Sequence, residues 1–235
     1  MKKRVLIIIP AYQEENNIKN VVDNIINNYP QYDYLVVNDG SKDRTAQICN
    51  ENGYSYLDLP INLGIGGAVQ SGYKYALKNG YDIAIQIDGD GQHDVAFIEK
   101  MLKKMEEENA DIAIGSRFIE KEGFQSSMTR RMGINFISTL IKICTGKRIY
   151  DVTSGFRIVN KYYIKYYAEN YPSDYPEPEA IVMAIMNRAK VIEVPVIMKE
   201  RSEGTSSIHS WKSLYYMIKV SLAVIICRVS LGIRR

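Results

Sequence analysis

Apolar and polar positions alternate in blocks along the first half of the chain. Residues 5–9 form an unbroken apolar run that stops at Pro10, the pattern of a strand buried on both faces. Ile18, Val21, Val22, Ile25 and Ile26 then recur at helical spacing. The same reading predicts strands over 34–37, 54–59, 82–87 and 111–114 and helices over 45–52 and 66–78. Phe97, Met101, Leu102 and Met105 mark a further helix between the last two strands. Strands separated by helical crossovers predict an α/β domain with a mostly parallel sheet flanked by helices. In such sheets ligands bind beyond the carboxyl ends of the strands.

The second half is less regular. A helix is predicted over 129–144, a loop over 150–157 and a helix over 161–169. The stretch 171–179 holds three prolines and reads as an ordered loop leading into a helix over 180–188. Residues 191–198 form the last strand, and Pro195 within it points to a sheet edge. From Trp211 one helical face collects Leu214, Tyr215, Ile218, Leu222, Ile225, Ile226, Val229 and Ile233. Val220, Val224, Cys227 and Leu231 lie opposite, so the middle of this helix is apolar nearly all round. Such a helix is either docked on the domain or laid in a membrane interface. No uncharged stretch reaches the roughly 20 apolar residues of a membrane span. The expected division is residues 1–210 as one α/β domain and 211–235 as a basic amphipathic C-terminal helix.

Charge sharpens this picture. The net charge is only +3, but beyond Glu203 there are five Lys and Arg and no acid. A basic end suits an anionic partner, a membrane surface or a nucleic acid. Cys49, Cys144 and Cys227 are too scattered for a disulfide framework or a zinc site and fit small core positions in a reducing compartment.

The polar residues that follow the strands carry the candidate chemistry. Asp88-Gly89-Asp90-Gly91-Gln92-His93 places two carboxylates, two residues apart, just past a strand end. Mg²⁺ takes one or two protein carboxylates and fills its shell with water and substrate phosphates, and Mn²⁺ accepts the same oxygens. The bland alternative is that these Asp-Gly pairs are ordinary turns. Asp39 ends the second strand in Asn38-Asp39-Gly40-Ser41, where it either meets a nucleoside or forms a turn with Ser41 capping the next helix. Asn62-Leu63-Gly64-Ile65-Gly66-Gly67 precedes a helix and reads better as a close-packing loop than as a phosphate cradle.

Taken in order, Pro10-Ala11-Tyr12-Gln13-Glu14, Asn38-Asp39-Gly40-Ser41-Lys42-Asp43, Asn62-Leu63-Gly64 and Asp88 to His93 resemble the family 2 glycosyltransferases. Their GT-A fold is a nucleotide-sugar-binding α/β domain. Gly115-Ser116-Arg117, Asp151-Val152-Thr153-Ser154-Gly155-Phe156-Arg157 and Arg201-Ser202-Glu203-Gly204 look like the branch of dolichyl-phosphate mannose synthase and bacterial polyprenyl-phosphate hexose synthases. The resemblance implies that Pro10, Tyr12, Glu14, Asp39 and Gly64 hold the nucleotide. It implies that Asp88 meets the nucleotide-sugar and the metal, and that Asp90 and Gln92 complete a Mg²⁺ or Mn²⁺ shell. Arg117, Arg131 and Arg201 would face the phosphates or the acceptor head group. The implied partners are a nucleotide-sugar, a polyprenyl (undecaprenyl) phosphate and a membrane surface at its cytoplasmic face. A homo-oligomer or a small membrane-protein partner is compatible with this, and nucleic acid is not expected. Asn38 stands where the family has an acid, which leaves the choice of UDP or GDP open.

The acceptor decides what catalysis needs. A lipid phosphate is already an anion and needs cations to position it; a sugar hydroxyl needs a base, for which Glu177 and Glu179 are the candidates. Arginines 117, 130, 131, 157 and 201 favour the phosphate. A saccharide acceptor and a non-catalytic nucleotide-binding scaffold stay open as alternatives.

Overall fold

The computed structural model describes residues 3–120, 128–174, 176–199 and 210–233. A seven-stranded sheet has the order β3-β2-β1-β4-β6-β5-β7. Its strands are β1 (Val5–Ala11), β2 (Asp33–Asn38), β3 (Tyr56–Asp58), β4 (Ile83–Gln86), β5 (Ile112–Ser116), β6 (Arg157–Asn160) and β7 (Val191–Pro195). All neighbours are parallel except β6, which runs antiparallel to both β4 and β5. Helices α1 (Ile18–Asn28), α2 (Thr45–Glu51) and α4 (Phe97–Glu107) pack on one face through Ile18, Val22, Cys49, Ile98 and Met101. The other face carries α3 (Gly64–Lys78), α5 (Met128–Thr145), α6 (Lys161–Asn170), α7 (Pro176–Met186) and α8 (Ser210–Ile233). Strands β1, β2 and β4 sit between both layers, which explains their continuous apolar runs.

Three local expectations are corrected. Residues 157–160 form β6, not the end of a loop and the approach to a helix. Its four residues alternate too briefly to show a period. The proline-rich stretch does not stay a loop up to Glu179, because α7 already begins at Pro176. The first turn of a helix has no intrahelical partner for its N–H groups, so Pro176 and Pro178 cost it nothing. Ser41 does not cap α2; its Oγ accepts the Gln13 N–H at 3.0 Å, and Asp43 Oδ1 accepts the Thr45 N–H instead. The edge reading of the last strand holds, with β7 at the sheet margin.

Helix α8 is joined to the domain by its smaller face. Val220, Val224 and Cys227 are buried in the same core as α5 and α7, while Ile218, Leu222, Ile225, Ile226 and Val229 are exposed. An added Cβ on Gly133 would lie 3.0 Å from Met217 Sδ, and Arg228 Nε donates to the Cys144 carbonyl at 2.7 Å. These contacts are eleven residues apart on each helix, so α5 and α8 run side by side in the same direction. Among the described residues no helix is long and apolar enough to cross a membrane.

Candidate functional site

The parallel strands β1, β2, β4 and β5 end at one edge of the sheet, and the predicted polar residues gather there. β6 adds its preceding loop to the same edge because it is reversed: Arg157, its first residue, pairs with Gln86, the last of β4. The loop 151–156 thus meets the Asp88 turn.

On the β1 and β2 side, the Asp39 N–H donates to the Ala11 carbonyl at 2.9 Å, tying the two loops together. Asp39 is buried, and its Oδ1 accepts the Leu63 N–H at 2.7 Å. Burial pushes its carboxyl above the ordinary value, while the Leu63 and Gly64 N–H groups pull it back. Gly40 (φ +63) lies so close to the chain that a Cβ would meet Asn62 N at 2.7 Å. The Asn62–Gly66 segment is held close only at its ends: at Gly66 a Cβ would sit 2.2 Å from the Pro172 carbonyl, while Leu63 and Ile65 are exposed and nothing lies within 4 Å of a Cβ on Gly64. Tyr12 is exposed, and Glu14 is held by its N–H on Thr45 Oγ1 and by Asn17 Nδ2 on its carboxylate. Asn38 Nδ2 donates to Asp58 Oδ1 at 2.6 Å, a pair that an acid at position 38 would replace with repulsion.

The β4 turn is the centre of the site. Asp88 donates its N–H to His93 Nδ1 at 2.9 Å, which leaves the imidazole proton on Nε2, 3.7 Å from Asp88 Oδ2. His93 stacks on Phe156 with ring centroids 5.2 Å apart, so it orders the turn from beneath. Asp88 keeps about a third of its side chain open to solvent. Asp90 is buried, and its Oδ1 accepts the Gln92 N–H at 3.0 Å. The Gln92 side chain donates through Nε2 to the Lys199 carbonyl at 3.3 Å, which leaves its Oε1 as an acceptor.

Beyond β5, Arg117 is buried against Asp151: Nε donates to Oδ2 at 2.8 Å and Nη2 to Oδ1 at 2.7 Å. The charge of Asp88 also acts on this guanidinium. Arg117 and Arg131 both lie over the Phe118 ring, at 5.1 and 5.0 Å from its centre. Arg201 lies outside the described residues. Glu177 and Glu179 open α7 and point to different surroundings. Burial pushes the Glu177 carboxyl up, Arg157 draws it back and Asp88 pushes it up again, so it belongs to the Asp88 neighbourhood. Glu179 lines a cleft of about 500 Å³ with Asp174, Lys219 and Leu222, against α8. The sequence reading gave no role to Asp151, Gly155 or Glu193, whose importance lies in contacts 34 or more residues away.

The comparisons agree with this geometry. Residues 6–167 match the model of glycosyl transferase family 2. The chain is 30% identical to the UDP-N-acetylglucosamine–dolichyl-phosphate N-acetylglucosaminyltransferase of Methanococcus voltae, covering 95% of this chain and 98% of that one. It is 28% identical to the polyprenol monophosphomannose synthase of Mycolicibacterium smegmatis, covering 93% and 86%. In fold it matches glucosyl-3-phosphoglycerate synthase from Mycobacterium tuberculosis, solved with Mn²⁺, UDP and glucosyl-3-phosphoglycerate, with a TM-score of 0.67 at 16% identity over 96% and 80% of the two chains. With its carboxylate turn, the loops after β1 and β2 and its sheet in this order, the chain belongs to glycosyl transferase family 2.

Proposed function

We propose that this glycosyltransferase moves a hexose or N-acetylhexosamine from a nucleotide-sugar, a UDP-sugar in preference to GDP-mannose, to a polyprenyl phosphate at the cytoplasmic face of a membrane. Pro10, Tyr12, Glu14, Asp39 and Gly64 line the nucleotide side. Asp88 and Asp90 fit a hard divalent cation, and among the described residues no cluster of three or more His, Cys, Asp or Glu would cage one without substrate. Bound there, Mg²⁺ or Mn²⁺ would neutralise charge on the departing diphosphate. Arg117 and Arg131 supply cations on the acceptor side, which suits a nucleophile that is already an anion.

The observation that carries the lipid reading is the paired surface of α5 and α8. Neither helix contains an acidic residue. Their outward faces expose Met132, Phe136, Ile143, Leu222, Ile226 and Val229, with Lys142 and Lys219 also exposed. Apolar rows bordered by cations fit the interface of an anionic bilayer, where a polyprenyl phosphate presents its head group. The two relatives named above are described as acting on dolichyl phosphate and as making a polyprenol monophosphomannose, in keeping with this acceptor.

The test is to incubate the purified chain with Mg²⁺ or Mn²⁺ and a panel of UDP- and GDP-sugars, with and without undecaprenyl phosphate. A glycolipid formed only with the lipid phosphate is expected. Transfer to a saccharide hydroxyl alone would replace this reading with the second one, which the raised Glu177 carboxyl favours as a candidate base.

A further inference from the structure

We propose that Glu193, on the edge strand β7, is a positioning residue for Arg117. The role deepens the lipid-phosphate reading and, in its kinetic arm, rests on it. In the sheet, Glu193 stands beside Ile114, three residues before Arg117. Its Oε2 accepts the Tyr150 N–H and its Oε1 accepts the Asp151 N–H, both at 2.8 Å. One carboxylate thus holds two consecutive peptide groups and fixes where the 150–156 loop starts. Burial pushes the Glu193 carboxyl up, and these two N–H groups draw it back toward its ordinary value.

Asp151 is fully buried and passes that placement on. Its Oδ2 accepts both the main-chain N–H of Arg117 at 3.0 Å and Nε at 2.8 Å, and its Oδ1 accepts Nη2 at 2.7 Å. Thr153 Oγ1 accepts Nη2 as well, at 3.2 Å. A buried ion pair of this kind adds little stability over an apolar replacement, but it fixes the plane of a guanidinium. That plane lies against Phe118, whose ring also carries Arg131. The relay therefore runs from a carboxylate at the sheet margin to Arg117 and, across the Phe118 ring, to Arg131. A carboxylate that served the strand alone would have no reason to hold the loop of the neighbouring connection by two bonds.

The experiment uses the full chain in two arms. In the first, ¹⁵N-arginine-labelled protein gives the Arg117 Nε–H resonance, assigned by its loss in Arg117→Lys. In Glu193→Ala this resonance is expected to shift and broaden, while that of Arg228, which donates to the Cys144 carbonyl outside this loop, stays in place. In the second, Glu193→Ala is expected to raise KM for undecaprenyl phosphate about tenfold and to leave KM for the nucleotide-sugar within about twofold. Glu193→Gln keeps one accepting oxygen and falls between; should the alanine variant fail to fold, it carries both arms. An unmoved Arg117 resonance, or an equal rise in both KM values, overturns the proposal. If the wild-type chain makes no glycolipid, the acceptor reading fails alone and the resonance still decides the role of Glu193.

Discussion

A methyl group placed on Gly155 would lie 2.6 Å from Asp88 Oδ1 and 3.0 Å from Oδ2. The loop before β6 therefore forms one wall of the Asp88 carboxylate, and only a residue without a side chain leaves that carboxylate its place. Gly155 has no positive φ, so the added methyl acts on Asp88 and not on the backbone. Gly155→Ala should lower kcat by about 10²-fold through misplacement of a reacting contact, with the circular dichroism spectrum unchanged. Near wild-type turnover in a folded variant would show that Asp88 does not need this wall.

Metal binding should depend on nucleotide. Two carboxylates without a third leave most of the shell to diphosphate oxygens and water. Titration with Mn²⁺, followed by electron paramagnetic resonance, should show weak binding alone and clearly tighter binding with UDP. Asp90→Ala should abolish the nucleotide-dependent component and transfer together, while UDP alone still binds.

Glu177 and Glu179 should separate in a kinetic test. Glu177 shares the electrostatic surroundings of Asp88 and Arg157, whereas Glu179 faces α8. With a phosphate acceptor, Glu177→Gln should slow turnover only modestly. With a sugar hydroxyl the loss of a base would cost about 10² to 10⁴ in rate. Glu179→Gln should leave kcat unchanged in either case.

Glu177 also predicts a stability change with a definite sign. Its folded carboxyl is raised above the ordinary value of 4.5, so the folded state holds the proton more tightly than the unfolded state. The stability this contributes is present below the unfolded pKa and is lost as pH rises through the folded one. Glu177→Gln should therefore raise Tm at pH 7, and the gain should vanish below about pH 4.5. A variant less stable than wild type at pH 7 would show that Arg157 outweighs the cost of burial.

Membrane attachment is better tested by charge than by truncation, because removing α8 would strip Val220, Val224 and Cys227 from the core. Phe136→Asp combined with Leu222→Asp leaves those residues in place. The double variant should lose co-sedimentation with phosphatidylglycerol vesicles while keeping its Tm. High salt should weaken binding of the wild-type chain without erasing it, since screening removes only the ionic part.

Much of this was legible in the sequence. The alternation of apolar runs located β1, β2, β4, β5 and their helices to within a few residues, and the Asp88 turn stood out by its spacing. Elements with too little pattern did not show: β6 has two fully apolar residues, Ile158 and Val159, and nothing local reveals that it runs against its neighbours. The carboxylate that holds Arg117 is Asp151, 34 residues away, and no periodicity announces such a pair. The sequence pattern of α8 fits either a docked or an interfacial helix, and the structure buries Val220, Val224 and Cys227 while leaving Ile218, Leu222 and Ile226 exposed.

The reversed strand also orders events during synthesis. β5 has no partner in the sheet until β6 arrives, because β6 alone joins it to β4 and its other neighbour, β7, is made later still. A ribosome that has released the first 120 residues has delivered a four-stranded sheet whose open margin is β4, a strand with every residue buried in the finished protein. An apolar margin of that kind pairs readily with other chains. The nascent polypeptide thus carries an adhesive border for the time needed to add about forty more residues, at some seconds of elongation. Chaperone capture at that stage, and aggregation of fragments that stop short of Arg157, follow from the place of four residues in the sheet.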